Sequence, residues 1–285
     1  MSKIKGTVAL LVNPQKKEAE SMSVDVIDAL TEKGWSVSLL PSSGVLADYS
    51  SIKNADFLVS LGGDGTVLRA ARLTAPFGMP VLPIDLGTLG FIAWVKPEEW
   101  LDSLDDAISG KLSVSERFML DIELRRDGKT IASFNALNDG VVSGYGPAKI
   151  VNLCVLVNGS PLGKYRSDGL IVATPTGSTA YSLAAGGPVL DPEMEAMLFT
   201  PICPFTLSNR PLVIPGGETI ELRVEAGQRE ETMLTVDGQD FFPLEEGDFV
   251  LFRRSVYKAR IFRRNHGSFL QVLRIKLNWS GGLNA

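Results

Sequence analysis

The chain contains 285 residues, of which 45% are hydrophobic and 21% charged, and this balance excludes a disordered or fibrous protein. The 28 Lys and Arg residues against 33 Asp and Glu residues give a net charge of −5, which argues against a general nucleic-acid binder. One histidine excludes a histidine-rich metal site, two cysteines without a C-x-x-C spacing indicate free core thiols, and no apolar run approaches the ~18 residues of a membrane span. We therefore predict a cytoplasmic protein with neither a nucleic-acid nor a membrane partner.

The first 110 residues alternate strand and helix patterns. Apolar runs predict strands over residues 7–12, 35–40, 57–60 and 80–84. Spaced apolar positions predict one helix over residues 19–30 and another from Pro97 to Gly110. Strands that alternate with helices form a parallel sheet with helices on its faces. We predict an N-terminal α/β domain, Rossmann-like, over residues 1–110.

Beyond residue 110, turn-forming dipeptides indicate antiparallel strands. Asp127-Gly128 and Asn158-Gly159 each separate two short apolar segments, as does Asp237-Gly238 further on. These dipeptides favour the tight turns of β-hairpins, because both positions take a positive φ. The pattern predicts a β-rich, sandwich-like domain over residues 111–267, and the apolar segment 268–285 is a candidate to pack back on the first domain.

A glycine-rich loop follows the third predicted strand. It runs from Leu61 to Thr66 and precedes a segment with good helix propensity. A strand, a glycine loop and a helix start converge backbone N–H groups on an anion such as phosphate. Asp64 inside the loop is unfavourable beside phosphate unless it takes a proton or holds a metal, which indicates phosphoryl transfer. The alternative is a plain strand-to-helix turn with Asp64 as the helix N-cap.

A second loop is rich in hydroxyl groups. Residues 166–187 contain a short strand, a turn over Thr174–Thr179 and one or two helical turns over residues 180–185. Hydroxyl side chains at a helix start are usually caps, so this segment alone is only suggestive. Tyr181 either stacks on a base or fills a core position, and taken alone the core is favoured.

Together the two loops strongly resemble the NAD kinases. The resemblance rests on the segments Gly62–Thr66 and Asp168–Ser182, and it extends to Leu86–Phe91, Asn138-Asp139, Val236–Gln239 and Lys276–Trp279. It covers most of the chain, and the second loop separates this family from lipid kinases and phosphofructokinases with similar glycine loops. The family usually shows Glu where this chain has Asp139 and Asn where it has Asp85.

The resemblance implies transfer of the γ-phosphoryl group of ATP, or of polyphosphate in some members, to the 2′-hydroxyl of the adenosine ribose of NAD. Asp64 would be the catalytic base, and Mg²⁺ or another divalent cation would accompany ATP, with no metal ligand assigned. The partners would be NAD and ATP, and the protein a homo-oligomer, a dimer or a tetramer. The phosphate-binding residues would be Gly62, Gly63, Gly65, Thr66 and Arg69. The substrate-binding residues would be Asn138, Asp139, Lys149, Arg166, Asp168, Thr179, Ala180, Tyr181, Ser182, Leu183, Ala184 and Gln239.

Two alternative functions stay open at this point. The first is a related kinase of the same glycine–aspartate loop class that acts on a lipid or sugar hydroxyl, against which the segment Thr174–Tyr181 argues. The second is a sensor that binds NAD or NADP without turnover. Asp64 argues against a sensor, because a carboxylate beside phosphate gives a pure binder no advantage.

Overall fold

The structure is a computed structural model that describes residues 5–40, 50–87, 90–146, 150–228, 231–263 and 269–278. The chain divides into two compact units. The first runs to Glu116 and resumes at Ala259, and the second is Arg117–Lys258. Within the described ranges, none of the helices has both the length and the apolar character that crossing a bilayer requires.

The first unit is built around one six-stranded sheet with helices, and elements are numbered along the whole chain. The sheet order is β2-β1-β3-β4-β18-β5, and the pairs β1–β2, β1–β3, β3–β4 and β4–β18 are parallel. Its strands are β1 (Thr7–Val12), β2 (Ser36–Leu40), β3 (Phe57–Gly62), β4 (Pro80–Asp85), β5 (Ser113–Arg117) and β18 (Ala259–Arg263). Its helices are α1 (Lys17–Glu32), α2 (Ser50–Lys53), α3 (Asp64–Thr74), α4 (Trp100–Ile108) and α6 (Phe269–Leu277), with 3₁₀ turns at Ala75–Phe77 and Pro97–Glu99.

Fully buried apolar side chains explain why these central strands form. Residues of β3 are buried along their whole length, and β1 and β4 are buried except at their ends. Continuous burial is typical of a parallel sheet covered on both faces. Val8, Leu10, Val59, Leu61 and Leu82 share one core cluster with buried residues of α1 and α4. The predicted parallel α/β fold is confirmed.

The second unit contains two six-stranded antiparallel sheets. One has the order β10-β9-β14-β17-β6-β7 and the other β13-β12-β11-β8-β15-β16. The first comprises β6 (Leu120–Arg126), β7 (Lys129–Ala136), β9 (Val151–Val157), β10 (Ser160–Ser167), β14 (Ile220–Val224) and β17 (Phe249–Arg254). The second comprises β8 (Asp139–Gly144), β11 (Gly169–Ala173), β12 (Ala196–Ile202), β13 (Leu212–Pro215), β15 (Thr232–Val236) and β16 (Asp240–Leu244). A 3₁₀ turn, Thr176–Thr179, and the short helix α5 (Tyr181–Ala184) follow β11.

One apolar core joins the inward faces of these sheets. Ile122 and Phe252 of one sheet and Val172 and Phe199 of the other belong to the same buried cluster. The predicted sandwich is thereby confirmed. Its tight turns also match, since Asp127 and Gly128 have φ values of +50° and +74°, as a type I′ hairpin requires.

Two expectations differ from the structure, the bounds of the β-rich domain and the burial of the cysteines. The predicted β-rich domain, 111–267, includes β5 and β18, yet both strands lie in the sheet of the first unit. Turn-forming dipeptides indicate only hairpins between neighbouring strands. They give no sign that β18 pairs in parallel with the distant β4, Arg260 opposite Pro80. Both cysteines are free as predicted, but Cys154 is only partly buried and Cys203 is exposed, so the prediction of a core thiol is wrong for Cys203.

Candidate active site

The glycine loop joins β3 to α3 at the carboxyl end of the parallel sheet. Gly62 must be glycine for packing reasons, because a Cβ would lie 2.0 Å from the Thr66 hydroxyl. Gly63 and Gly65 differ, since a Cβ at either would have no atom within 4 Å. These two residues therefore leave room for a ligand to approach the backbone at the start of α3, where N–H groups favour an anion.

Asp64 is the first residue of α3, and its carboxylate binds another loop of the same unit. Oδ2 accepts the N–H of Phe91 at 2.6 Å, and Oδ1 accepts those of Ile92 at 3.1 Å and Ala93 at 2.9 Å. The N-cap of α3 is Gly63. The alternative of Asp64 as a simple N-cap is therefore wrong.

A second carboxylate lies beside Asp64. A Cβ built at Gly90 would lie 2.7 Å from Asp64 Oδ1 and 3.3 Å from Asp85 Oδ2, so oxygens of both residues approach one point. The other Asp85 oxygen accepts the N–H of Gly87 at 2.7 Å. This contact closes a local turn that Asn would make equally well. The departure from the family at residue 85 therefore leaves the turn intact and adds a negative charge.

Lys16 is a cation at this loop that the sequence analysis missed. Its ammonium group donates to the Leu86 carbonyl. A Cβ built on Gly87 would lie 3.7 Å from the Lys16 Nζ and 3.7 Å from the Gly63 Cα, so the ammonium group is close to the glycine loop. The only sequence signal was a lysine just after the Asn-Pro break that ends β1. The predicted cation, Arg69, is partly buried on α3.

In the second unit, a cavity of about 280 Å³ opens beside β8. Strands β8 and β15, the turn after β15 and the start of α5 form its wall. The lining residues are Asn138, Asp139, Val141, Ser143, Ala180, Tyr181, Thr235, Asp237 and Gly238. Four of the predicted substrate-binding residues, Asn138, Asp139, Ala180 and Tyr181, are thus brought together.

The cavity contains buried polar groups suited to a ligand. Asp139 is only 5% exposed, and burial, aided by the nearby charge of Asp237, raises the pKa of Asp139 to about 7. The buried Asn138 Oδ1 finds no hydrogen-bond partner among the described residues. Tyr181 is 48% exposed at the wall, so the core position favoured from sequence alone is wrong.

The second loop packs directly on Asn138. Thr174 donates its N–H to the Asn138 carbonyl at 2.8 Å and its hydroxyl to the Leu137 carbonyl at 2.5 Å. A Cβ at Gly177 would lie 2.2 Å from the Asn138 carbonyl oxygen, so this close approach requires glycine. The hydroxyl-rich turn therefore fixes the strand entry that carries Asn138 and Asp139.

Other hydroxyl groups of this loop are used internally. Ser182 is fully buried and shares a 2.8 Å hydrogen bond with Thr200. Thr179 donates to a backbone carbonyl of its own turn at 3.3 Å. Leu183 is partly buried and Ala184 is exposed on α5. These four predicted substrate contacts stay predictions.

The remaining predicted residues lie around the loop or outside the described residues. The exposed guanidinium of Arg166 stacks 5.0 Å from the ring centre of Phe205. Asp168 is partly buried in the turn between β10 and β11, and Gln239 is partly buried just before β16. Lys149 lies outside the described residues. The described part of the chain contains no cluster of three His, Cys, Asp or Glu residues able to hold a metal ion.

Comparison with known proteins identifies relatives of the whole chain. The profile of the ATP-NAD kinase N-terminal domain matches residues 45–112, and that of the ATP-NAD kinase C-terminal domain matches residues 137–264. The chain is 40% identical over 274 residues to an NAD kinase of Treponema denticola, covering 96% of each protein. It is also 40% identical to an NAD kinase of Symbiobacterium thermophilum, covering 95% of this chain and 98% of that protein.

Two solved structures share the fold. Yeast NADH kinase complexed with NADH superposes with a TM-score of 0.88 at 26% identity, covering 99% of this chain and 89% of that one. An NAD kinase from Archaeoglobus fulgidus in complex with ATP gives a TM-score of 0.74 at 27% identity, covering 91% and 94%.

Proposed function

The chain belongs to the NAD kinase family, and on that premise we propose that it transfers the γ-phosphoryl group of ATP to the 2′-hydroxyl of the adenosine ribose of NAD, giving NADP. The observation that carries the proposal is the cavity of about 280 Å³ with Asp139 and the unpartnered Asn138 Oδ1 in its wall. A buried acceptor without a partner costs roughly 1–3 kcal/mol. A ribose, which carries hydroxyl donors, relieves that cost.

On the NAD side, Asp139 accepts hydrogen bonds from ribose hydroxyls in its ionised form. A carboxylate that holds a ribose diol is the device used in dinucleotide-binding folds. The half-exposed ring of Tyr181 offers a flat apolar face on which a base can stack. The other predicted substrate contacts, Lys149, Arg166, Asp168, Thr179, Ala180, Ser182, Leu183, Ala184 and Gln239, remain part of the proposal.

On the phosphate side, the open backbone at Gly63 and Gly65 accommodates oxygens of the triphosphate. The N-terminus of α3 favours negative charge there. Lys16 and Arg69 add positive charge, which offsets the negative charge of the phosphate groups. Gly62 and Thr66 support the loop through their mutual contact.

Asp64 accepts the proton that the ribose hydroxyl loses. A carboxylate offers about four acceptor positions, and backbone N–H groups take two on Oδ1 and one on Oδ2. Oδ2 therefore keeps a position for the proton. The loose transition state of phosphoryl transfer lets the proton leave late, so a weak base suffices. A positioned base of this kind contributes roughly 10²–10⁴ in rate.

The divalent cation implied by the family fits the carboxylate oxygens of Asp64 and Asp85. Mg²⁺ is usually held by one or two carboxylates together with substrate phosphates. Asp85 is the residue that would hold it, with Asp64 as the neighbouring carboxylate, since their oxygens approach the same point. The ion would neutralise charge on the transferred phosphoryl group.

The direct test is incubation of the purified protein with NAD, ATP and Mg²⁺, with NADP measured by an NADP-specific dehydrogenase. Formation of NADP that depends on ATP supports the proposal. Binding of NAD without any NADP would identify a sensor, and phosphorylation of a lipid or sugar in place of NAD would identify another kinase. A homo-oligomeric state and a cytoplasmic location remain predictions.

A further inference from the structure

Asp237 is a buried carboxylate beside the cavity to which the proposed mechanism gives no task. It occupies the tight turn between β15 and β16, with a φ of +50°, and Gly238 follows at +65°. It is 7% exposed. In the sequence, this Asp-Gly pair is a turn signal and part of the segment Val236–Gln239 that resembles the NAD kinases, but only Gln239 of that segment was predicted to contact substrate.

The carboxylate of Asp237 binds the backbone that carries the ribose-binding residues. Oδ2 accepts the N–H of Leu137 at 2.9 Å, and Oδ1 accepts those of Asn138 at 2.8 Å and Asp139 at 3.0 Å. In return, the N–H of Asp237 donates to the Asp139 carbonyl at 2.9 Å. Four hydrogen bonds thus fix the entry to β8 from a turn about 100 residues later in the chain.

The same arrangement brings two carboxyl groups together inside the protein. Three N–H donors favour the ionised form of Asp237. That charge, added to burial, raises the pKa of Asp139. From α5, Tyr181 also faces this region: burial raises the pKa of its phenol, and Asp139 is among the acidic groups that add to the effect. The neighbours of Asp139 and Gly140 on β11 and β15 are uncharged, Ala173 and Val236.

We propose that Asp237 is a positioning residue for NAD, which holds Asn138 and Asp139 in place and makes NAD binding weaken as the pH falls through neutrality. The proposal rests on the proposed function, because it takes Asp139 as the acceptor of ribose hydroxyls. Asp237 itself touches the protein backbone. It acts on NAD through the position of Asn138 and Asp139 and through the protonation of Asp139.

The sign of the pH effect follows from which form of Asp139 accepts hydrogen bonds. The ionised carboxylate accepts from both hydroxyls of a diol, and protonation removes acceptor capacity. Below the pKa of about 7, the ionised fraction falls about tenfold per pH unit, so the NAD dissociation constant should rise up to about tenfold per unit. Above pH 8 it should be constant.

The test measures NAD binding by titration calorimetry from pH 5.5 to 8.5, without ATP, on the wild type, Asp237→Asn and a control. In Asp237→Asn the like charge is lost, so the pH transition of binding should move to lower pH. Binding at pH 8.5 should weaken by about tenfold, because one amide oxygen cannot serve three N–H donors. The ATP Michaelis constant should stay unchanged.

Asp248→Asn is the matched control. Asp248, like Asp237, is a buried carboxylate that accepts a backbone N–H, that of Glu245 at 2.8 Å, but it does not line the cavity. A structural effect alone would lower the melting temperature of both variants and leave both pH profiles unshifted. That result, or a flat wild-type profile, overturns the proposal.

The outcomes also separate this inference from the proposed function. If the wild type binds NAD with the expected pH profile but forms no NADP, NAD kinase activity fails while the role of Asp237 stands. If NADP forms and Asp237→Asn leaves the pH profile unchanged, the role of Asp237 alone fails. Should Asp237→Asn not fold, the wild-type profile still tests the proposal. NAD binding that is independent of pH between 5.5 and 8.5 refutes the proposed effect of Asp237 on the protonation of Asp139.

Discussion

Replacement of Asp139 by Asn should stabilise the protein at alkaline pH while it weakens NAD binding. Asp139 is buried, and its pKa in the folded chain is about 7, against an ordinary value of 3.8. A carboxyl group whose pKa is raised by folding favours the folded state below its unfolded pKa, and this advantage is lost as the pH rises towards the folded pKa. Above pH 7 the folded protein therefore contains a buried negative charge, which lowers the free energy of unfolding.

The size of the effect follows from the two pKa values. At about 1.36 kcal/mol per pH unit, ionisation of Asp139 lowers the free energy of unfolding by up to roughly 4 kcal/mol at pH 8. Asn is neutral and nearly the same shape, so Asp139→Asn should remove most of that cost. At roughly 2–4 °C per kcal/mol for a domain of 150–250 residues, the melting temperature should rise by several degrees.

The assay is thermal unfolding of wild type and Asp139→Asn at pH 8, 6 and 4. The stabilisation should be largest at pH 8, smaller at pH 6 and nearly absent at pH 4, which is close to the ordinary pKa of 3.8. Asp248→Asn should do the opposite at pH 8. Asp248 is fully buried but paired with Arg126 at 2.8 and 2.9 Å, so its neutralisation leaves Arg126 with only the exposed carboxylate of Glu245 as an ionic partner. Stabilisation that does not depend on pH would refute the assignment of a buried, titrating Asp139.

Three further predictions concern the loops. Asp64→Asn should lower kcat by roughly 10²-fold or more and also lower the melting temperature, because its amide would face a backbone N–H; turnover near the wild-type value would remove Asp64 from the mechanism. Lys16→Met should raise the ATP Michaelis constant by about tenfold. Lys17 is the exposed neighbour of Lys16, and Lys17→Met should leave that constant unchanged. Equal constants for the two variants would contradict a contact between Lys16 and phosphate. Gly177→Ala should lower the melting temperature and raise the NAD Michaelis constant, because its Cβ would meet the Asn138 carbonyl; normal values for both would show that the loop adapts.

The sequence predicted those parts of the fold that depend on local chemistry. The strand over residues 7–12 follows from a continuous apolar run, and the structure has it at Thr7–Val12. The turns at Asp127-Gly128 and Asn158-Gly159 follow from residues that tolerate positive φ, and all four residues show it. These features need information only from a few neighbouring residues.

What the sequence could not predict are contacts between distant segments. Asp64 stood out as a carboxylate in a phosphate loop, but its bonds to Phe91 and Ala93 depend on how β3 and β4 pair. β18 was placed in the predicted β-rich domain for a similar reason, since a five-residue strand that contains two arginines carries no sign of its partner. Asp237 was read as a turn residue because its partners lie about 100 positions away.

Each unit uses the same means to hold a loop at its candidate site. Asp64 accepts three backbone N–H groups in the first unit, and Asp237 accepts three in the second. Backbone N–H groups in loops lack the partners that helices and sheets provide, and leaving them buried and unpaired is costly. A carboxylate that accepts three of them fixes the loop without a strand or helix, and its charge remains to act on neighbouring groups. Because the loop geometry and the local charge depend on one side chain, neutral substitutions at these two positions should change both together, and neither effect can be removed alone.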